Sequence, residues 1–236
     1  LYKLYASIIQ SRLAEHIEEK IWKTQYGFRA KHSTCEALYI CRRIQDFHEQ
    51  SGDKLFMLFL DWEEAFDKVD QEQLITAIRG LNIPEENVEI IESLYTEPKF
   101  IIKDNEGFSE YRQQMAGIRQ GCPPSPYLFI LLMSVLFLDV YREVGLKVYG
   151  KGIDMTRHFE LLYADDTMLF GKRAREINIL LHQIDIESEN YNLKLNHGTC
   201  VYIGMNGNAD IHFKDGKKIK TVDQVTYLLG TNHRKC

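Results

Sequence analysis

The sequence predicts an α+β fold in which helices alternate with antiparallel pairs of strands, and two patterns carry this prediction. Amphipathic or apolar segments of helical length recur along the chain, and short apolar runs separated by turn residues indicate β-hairpins. The strands of a hairpin are antiparallel, whereas a doubly wound sheet would need a helix after nearly every strand. We therefore expect an antiparallel sheet backed by helices.

The predicted helices differ in how much of their surface is apolar. Residues 1–21 place apolar side chains on one face and charges on the other, and a second helix starts at the capping box Ser33–Glu36. The run Tyr127–Leu138 is interrupted only by Ser134 and is shorter than the roughly 18 residues that span a bilayer. It predicts a buried helix and not a membrane anchor. Further helices are predicted over 71–81, 84–95 and 173–191.

The predicted strands lead to acidic residues. Leu55–Leu60 is a continuous apolar run, short for a helix, and it ends at Asp61. Phe159–Phe170 has two apolar arms on either side of Asp165 and Asp166, which predicts a tight hairpin with both acids at its tip. Another hairpin is predicted from Phe100–Lys103 and Tyr111–Met115, on either side of Asn105-Glu-Gly107.

Bulk composition limits the classes of function. The chain has 236 residues, 44% of them hydrophobic, enough for one or two compact units with a buried core. Because it starts at Leu1, directly in a helical pattern, we expect it to be a fragment of a longer polyprotein. Five cysteines without a C-x-x-C pair disfavour disulfides and zinc, and favour an intracellular location, nucleus or cytoplasm. The net charge of −5 argues against binding nucleic acid by charge alone.

Asp61 and Asp165 share one context, since each follows a hydrophobic strand. If these strands are neighbours, the carboxylates converge, and such oxygen ligands suit Mg²⁺. Two ions about 3.5–4 Å apart can activate an attacking hydroxyl and stabilise a leaving oxygen, which is nucleotidyl-transfer chemistry. The plainer interpretation is that acids near strand ends are turn residues. Asp166 disfavours that interpretation, because adjacent carboxylates repel each other and a turn does not need both.

The acids belong to an ordered set of motifs. In chain order, the motifs are Gln25-Tyr-Gly-Phe-Arg29 with Ser33-Thr34, Phe59-Leu-Asp61 followed by Ala65-Phe-Asp67, Gly117-Ile-Arg-Gln-Gly-Cys-Pro-Pro-Ser-Pro126, and Tyr163-Ala-Asp-Asp166. Their order and spacing resemble those of reverse transcriptases over nearly the entire chain. Within that family, Cys122 after Gln120-Gly121, together with the late Tyr227-Leu-Leu-Gly230, resembles the enzymes of non-LTR (LINE-like) retrotransposons.

The resemblance implies the fingers and palm of a right-hand polymerase, with no thumb in this chain. The fingers would lie mainly in 1–53 and part of 71–115, and the palm mainly in 54–70 and 116–230. The implied reaction is RNA-directed DNA synthesis, in which dNTPs are added to the 3′-hydroxyl of a DNA primer on an RNA template. Two Mg²⁺ ions, which Mn²⁺ can replace, would serve as cofactors, and no membrane would take part.

The resemblance also implies roles for the acids and their neighbours. Asp61, Asp165 and Asp166 would be the catalytic acids and, with the backbone carbonyl of Leu60, the metal ligands. Phe66 matches the bulky side chain beneath the incoming sugar, where a 2′-hydroxyl would collide with it. On spacing alone, Phe66 is also explained as a core aromatic residue.

Four further residues are implied to contact the substrates. Gln120 and Gly121 match the loop that lies against the nascent base pair, although a glycine here is also explained by the turn alone. Arg29 would bind the incoming triphosphate through its guanidinium, or it is a solvated surface charge. Tyr163 would contact the primer end, pack in the core, or do both.

Two departures from the family pattern leave other functions open. Pro124 stands where relatives usually have leucine, and Thr199 stands where they commonly have a lysine, three residues after Asn196. That lysine is thought to protonate the leaving pyrophosphate. Thr199 and the acidic composition favour an alternative, a nucleic-acid-binding remnant of a retroelement that does not catalyse. A metal-dependent nuclease or phosphohydrolase also uses paired acids, but it would leave Phe66 without a purpose.

Overall fold

The computed structural model describes residues 2–105, 107–144, 160–228 and 230–233, so the expected hairpin and turn positions Glu106, Phe159 and Leu229 lie outside the described residues. The helices are α1 Tyr2–Ile17, α2 Thr34–Ser51, α3 Ala65–Lys68, α4 Gln71–Gly80, α5 Glu85–Tyr95, α6 Ser125–Val144 and α7 Ala174–Glu189. The strands are β1 Leu55–Leu60, β2 Lys99–Phe100, β3 Arg112–Gln113, β4 Glu160–Tyr163, β5 Asp166–Gly171, β6 Val201–Met205, β7 Lys220–Thr221, β8 Gln224–Tyr227 and β9 Gly230–His233.

The main sheet has the strand order β4-β5-β1-β6-β7. β1 lies at its centre and runs antiparallel to both β5 and β6, while β4 and β5 form an antiparallel hairpin. The short strand β7 pairs with β6 in parallel. The predicted α+β class with an antiparallel sheet is therefore confirmed, apart from this one parallel pair at the edge.

Both faces of the sheet are covered, which explains why β1 is apolar throughout. Successive side chains of a strand point to opposite faces. Phe56, Leu58 and Leu60 pack into the larger core with α1, α4, α5, α6 and α7. The alternate residues Leu55, Met57 and Phe59 pack into a smaller core with α2 and with Tyr227 of β8. An apolar run buried on both faces holds β1 rigidly, and β1 delivers Asp61 to the end of the sheet.

α6 is the buried helix that its apolar sequence predicts. Residues 128–132 are all 0% exposed, and the helix packs against α4 and α7. Among the residues that the structure describes, no helix has the length and apolar character needed to cross a membrane.

Three local features differ from the predictions. The first helix ends at Ile17 and not at residue 21, because the N–H groups of Lys20 and Ile21 both bond to the Ile17 carbonyl and the chain turns away. The short helix α3 was not expected, and it starts after Glu64, whose φ of 47° is left-handed. The outer hairpin exists, but its strands β2 and β3 have two residues each.

Candidate active site

Acidic residues meet at one end of the main sheet. The register of β1 and β5 pairs Leu60 with Thr167, so Asp61, the next residue, lies beside Asp166 at the start of β5. The strands that precede Asp61 and Asp165, β1 and β4, are not neighbours, because β5 lies between them. It is β5, which starts at Asp166, that brings the hairpin acids beside Asp61. Asp61 and Asp166 are both exposed at the sheet end and accessible to a ligand.

The turn between β4 and β5 carries the third acid on a strained backbone. Tyr163 pairs with Asp166, which leaves Ala164 and Asp165 as the turn residues. Ala164 has a φ of 56°, a left-handed conformation that residues other than glycine rarely adopt. Its N–H donates to Oε1 of Gln25 at 2.8 Å, and its carbonyl accepts from Nε2 of Gln25 at 3.2 Å. The conformation of the turn is thus stabilised by a residue from a distant part of the chain.

Burial and mutual repulsion raise the pKa of both hairpin acids. The pKa of Asp166 is raised to about 6, first by its partial burial and then by the nearby charges of Asp165 and Asp61. The pKa of Asp165 is raised by burial and by Asp61, against the opposing effect of backbone hydrogen bonds. The ionised forms are therefore disfavoured in the folded chain, and a cation bound between the carboxylates would favour them again.

Asp61 is held by the segment that precedes β6. Oγ1 of Thr199 donates to Oδ2 of Asp61 at 2.6 Å, and Nδ2 of Asn196 lies 3.5 Å from the same oxygen. The backbone N–H of Asn196 donates to the Asp61 carbonyl at 2.8 Å. The threonine at the family's lysine position thus contacts a candidate metal ligand directly.

Phe66 lies on α3, five positions after Asp61 in the chain, and its ring packs against the core. It stacks on Phe129 of α6 with ring centroids 4.1 Å apart and an interplanar angle of 20°. The Phe66 carbonyl accepts from the N–H of Ile118 at 2.7 Å. Phe66 is half-buried, and its ring packs on the core. Its role beneath the incoming sugar stays a prediction.

The loop at 117–121 packs closely against the α3 segment. Gly117 has a φ of 86°, and a Cβ built there would lie 2.6 Å from the Asp67 carbonyl oxygen. Nε2 of Gln120 donates to Oδ1 of Asp67 at 2.8 Å. Gly121 is exposed with a φ of 74°, and an added Cβ would meet no atom within 4 Å. In this structure, the turn therefore requires Gly121, while close approach requires Gly117.

Arg29 and Tyr163 lie near the site but are engaged with other groups. The Arg29 guanidinium donates to Glu18 at 2.5 Å and to the Gln25 carbonyl at 2.9 Å, and its side chain is only 11% exposed. Tyr163 is half-buried against the smaller core. The structure thus joins Gln120 to the α3 segment that carries Phe66, and it pairs Arg29 with Glu18.

The acid cluster fits Mg²⁺ in its chemistry. Asp61, Asp165 and Asp166 offer oxygen ligands only, which Mg²⁺ prefers, and burial together with the neighbouring carboxylates raises the pKa of both hairpin acids. In the described parts of the chain, no three histidine, cysteine or acidic side chains are close enough to hold a metal ion as they stand. Metal binding would therefore draw the carboxylates together.

Gln25 was missed as a site residue on sequence grounds. It is the first residue of the motif Gln25-Tyr-Gly-Phe-Arg29, and that motif is the only signal the sequence offers for it. In the structure Gln25 is 0% exposed, and a Cβ on Gly27, two residues later, would lie 2.3 Å from the nitrogen of the same Ala164. The partner of Gln25 is 139 positions away, and no local pattern identifies that contact.

Comparison with known proteins identifies the family. A family model described as reverse transcriptase (RNA-dependent DNA polymerase) matches residues 1–228. The chain belongs to the reverse transcriptase family. Reverse transcriptases generally use divalent metal ions, which agrees with the oxygen ligands at the end of the sheet.

The relatives of this reverse transcriptase domain are proteins of mobile elements. It is 29% identical over 171 residues to the uncharacterized 149 kDa protein of transposon TX1 from Xenopus laevis, with 72% of this chain and 13% of that protein covered. It is 26% identical over 217 residues to the RNA-directed DNA polymerase from mobile element jockey of Drosophila funebris, with 86% and 22% covered. The expected non-LTR retrotransposon branch is confirmed, and the chain spans less than a quarter of either relative.

Solved structures with this fold include telomerases. Apo telomerase from Candida tropicalis, truncated from its C-terminal domain, superposes with a TM-score of 0.67 at 16% identity, covering 96% of this chain and 44% of that one. Telomerase from Candida albicans in complex with a telomeric RNA fragment gives a TM-score of 0.60 at 16% identity, covering 83% and 33%. The predicted fingers-and-palm fold of a reverse transcriptase is confirmed.

Proposed function

We propose that the chain is the polymerising part of an RNA-directed DNA polymerase that acts in retrotransposition. The observation that supports this most directly is the position of Asp61 beside the Asp165–Asp166 hairpin at one end of the sheet. This arrangement occurs in a chain that matches the reverse transcriptase family over residues 1–228. Its proposed partners are an RNA template, a DNA primer and dNTPs.

In the proposed reaction, the primer 3′-hydroxyl attacks the α-phosphorus of a dNTP. A new P–O bond forms, the bond between the α- and β-phosphates breaks, and pyrophosphate leaves. Asp61 and Asp165 would hold two Mg²⁺ ions, with Asp166 in support and the Leu60 carbonyl completing the ligand set. When bound, these ions would activate the hydroxyl and stabilise the charge on the leaving group.

Phe66 would select deoxynucleotides. Its ring is stacked on Phe129, so it cannot move inward without displacing a side chain that is 0% exposed. A ribose 2′-hydroxyl placed above the ring would meet a rigid surface, because close-packed cores yield little. Gln120 and Gly121 would lie against the nascent base pair, and the bond from Gln120 to Asp67 keeps that loop next to Phe66.

Arg29 and Tyr163 are proposed to contact the substrates at the edges of the site. Arg29 would bind the triphosphate only after exchanging its bond to Glu18, which is an exposed and therefore weak partner. Tyr163 would contact the primer end with the part of its ring that the smaller core leaves accessible. The proposed fingers are mainly 1–53 with part of 71–115, and the proposed palm is mainly 54–70 with 116–230.

Thr199 supports a second candidate function, a nucleic-acid-binding remnant that does not polymerise. A threonine hydroxyl is too weak an acid to protonate pyrophosphate near neutral pH, and here it donates to Asp61. Polymerisation by this chain would therefore depend on water for that proton. We expect slow turnover, and the retained acids and Phe66 favour a slow polymerase over a remnant.

Primer extension tests the proposal. The chain is incubated with an RNA template, a DNA primer, dNTPs and Mg²⁺, beside Asp165→Asn and the control Asp46→Asn, which removes an acid on α2 paired with Arg43. We expect extension by the wild type and the control, and a loss of about 10²–10³-fold in Asp165→Asn. Equal extension by all three proteins would contradict the site. Binding of the primer-template without extension would favour the remnant.

A further inference from the structure

Gln25 makes contacts that the proposed reaction does not by itself explain. Its amide is completely buried, and it joins three backbone groups: Oε1 accepts from the N–H of Gly27 and of Ala164, both at 2.8 Å, and Nε2 donates to the Ala164 carbonyl at 3.2 Å. We propose that Gln25 is a positioning residue, which fixes the turn before Asp165 and thereby the geometry of the metal site. This inference rests on the proposed polymerase function.

The backbone of residues 24–26 pairs with β4 at Leu162, and the side chain of Gln25 extends this pairing to Ala164. The Leu162 N–H donates to the Thr24 carbonyl at 2.9 Å, and the Tyr26 N–H donates to the Leu162 carbonyl at 2.8 Å. The segment 24–26 therefore pairs with β4 at the edge of the sheet. Two residues further along, the N–H and the carbonyl of Ala164 both bond to the Gln25 side-chain amide, which takes the place of a neighbouring strand.

The bonds from Gln25 stabilise a conformation that Ala164 does not prefer. A left-handed φ of 56° is unfavourable for a residue with a Cβ. The two hydrogen bonds that Ala164 makes with the buried Gln25 amide offset this cost. Without them, the backbone would relax, and Asp165, the next residue, would turn its carboxylate away from Asp61.

Attachment of the segment to β4 does not need Gln25. At the other end of β4, the buried Glu160 carboxylate accepts from Nε1 of Trp22 at 2.9 Å and from Oγ1 of Thr24 at 2.7 Å. Thr24 thus secures the same segment far from the acids, while Gln25 contacts the turn itself. Thr24→Val is a matched control, because it removes a buried hydrogen bond from this segment and leaves the turn unaltered.

The test measures metal binding apart from catalysis. Mn²⁺ binding is followed by electron paramagnetic resonance for the wild type, Gln25→Met, Thr24→Val and Asp165→Asn, and kcat and KM for dNTP are measured for the same proteins. We expect Gln25→Met to weaken Mn²⁺ binding about tenfold and to lower kcat more than it changes KM. We expect Thr24→Val to lower the melting temperature and to bind Mn²⁺ like the wild type.

The outcomes separate this inference from the proposed function. Wild-type Mn²⁺ affinity in Gln25→Met, or equal weakening in Thr24→Val, would overturn the role of Gln25. Mn²⁺ binding that is the same in the wild type and in Asp165→Asn would instead contradict the proposed metal site. If Gln25→Met does not fold, amide exchange of the wild type decides: the Ala164 N–H should exchange as slowly as those of β4, and exchange at the rate of an exposed turn would overturn the proposal.

Discussion

The two halves of the acid site are held in different ways. At the end of β1, the side chain of Asp61 is bonded directly, by the Thr199 hydroxyl at 2.6 Å. In the β4–β5 hairpin, the backbone is fixed, by Gln25 at Ala164 and by Oγ1 of Thr167, which donates to the Asp165 carbonyl at 3.1 Å. The orientation of Asp61 thus depends on a neighbouring side chain, while that of the hairpin acids follows from the shape of a turn.

This difference predicts which substitutions affect each half. A change that alters the backbone around the turn should displace Asp165 and Asp166 together. A change at Thr199 should rotate Asp61 and leave the hairpin in place. Trp62 connects the halves, since it follows Asp61 and its Nε1 donates to Thr167 at 3.1 Å.

The largest effect is expected from Gly27→Ala. Its Cβ would lie 2.3 Å from the nitrogen of the turn residue Ala164 and 2.9 Å from the carbonyl carbon of Tyr163 at the end of β4, and these hydrogen-bonded backbone atoms cannot easily move away. We expect the free energy of unfolding in urea to fall by about 2–3 kcal/mol, with a loss of primer extension. Gly80→Ala is the control, because its Cβ meets no atom within 4 Å. Equal stability of the two variants would show that the turn is not fixed from this side.

A smaller effect, of opposite sign, is expected from Asp166→Asn in metal-free buffer. The pKa of Asp166 is about 6 in the folded chain, above the usual value near 4 in an unfolded chain. The folded state therefore binds more protons between about pH 4 and pH 6, and ionisation of Asp166 destabilises the fold as the pH rises through that window. Asparagine cannot ionise, so we expect Asp166→Asn to raise the free energy of unfolding at pH 7 by about 1 kcal/mol, a value already lowered to allow for solvent screening of this exposed side chain.

Thermal unfolding in EDTA between pH 4 and pH 8 measures this effect. The melting temperatures of the wild type and Asp166→Asn should agree near pH 4, separate between about pH 4 and pH 6, and stay apart by a constant amount above that window. Added Mg²⁺ should stabilise the wild type more than the variant, because a ligand that binds only the folded state stabilises it. Parallel curves for the two proteins would mean that neither burial nor the other two carboxylates raise the pKa of Asp166 in the folded chain.

The sequence predicted the hairpin half of the site better than the contacts that hold it. Apolar arms around Asp165 and Asp166, and an apolar run up to Asp61, are local patterns, and both gave the observed strands. The motif that contains Gln25 predicts no role for that residue, because its burial depends on a partner 139 positions away. The same holds for Thr199, whose hydroxyl meets Asp61 across 138 positions. Local patterns place the acids, while contacts between distant segments set their orientation.

Left-handed backbone conformations were the other feature that could not be predicted from the sequence. The left-handed residues Glu64 and Ala164, which start α3 and form the β4–β5 turn, are not glycines. Propensity favours glycine at such positions, so the sequence gives no signal for them. Tertiary hydrogen bonds stabilise the turn at Ala164, and this is where the two halves of the site differ most.

The smallest effect is expected from Thr199→Val, and it tests the Asp61 half alone. Valine has the shape of threonine without the hydroxyl, so Oδ2 of Asp61 loses its 2.6 Å bond, while Asn196 still bonds to the Asp61 carbonyl. Thr199 is exposed, so we expect a change in stability below about 1 kcal/mol and an apparent Mg²⁺ affinity in primer extension that is weaker by about threefold. Thr199→Ser, which keeps the hydroxyl, should behave like the wild type. Tighter Mg²⁺ binding in the valine variant would mean that the Thr199 hydroxyl competes with the cation for Oδ2 of Asp61. Thr199 would then hinder metal binding by Asp61 and would not orient its carboxylate for it.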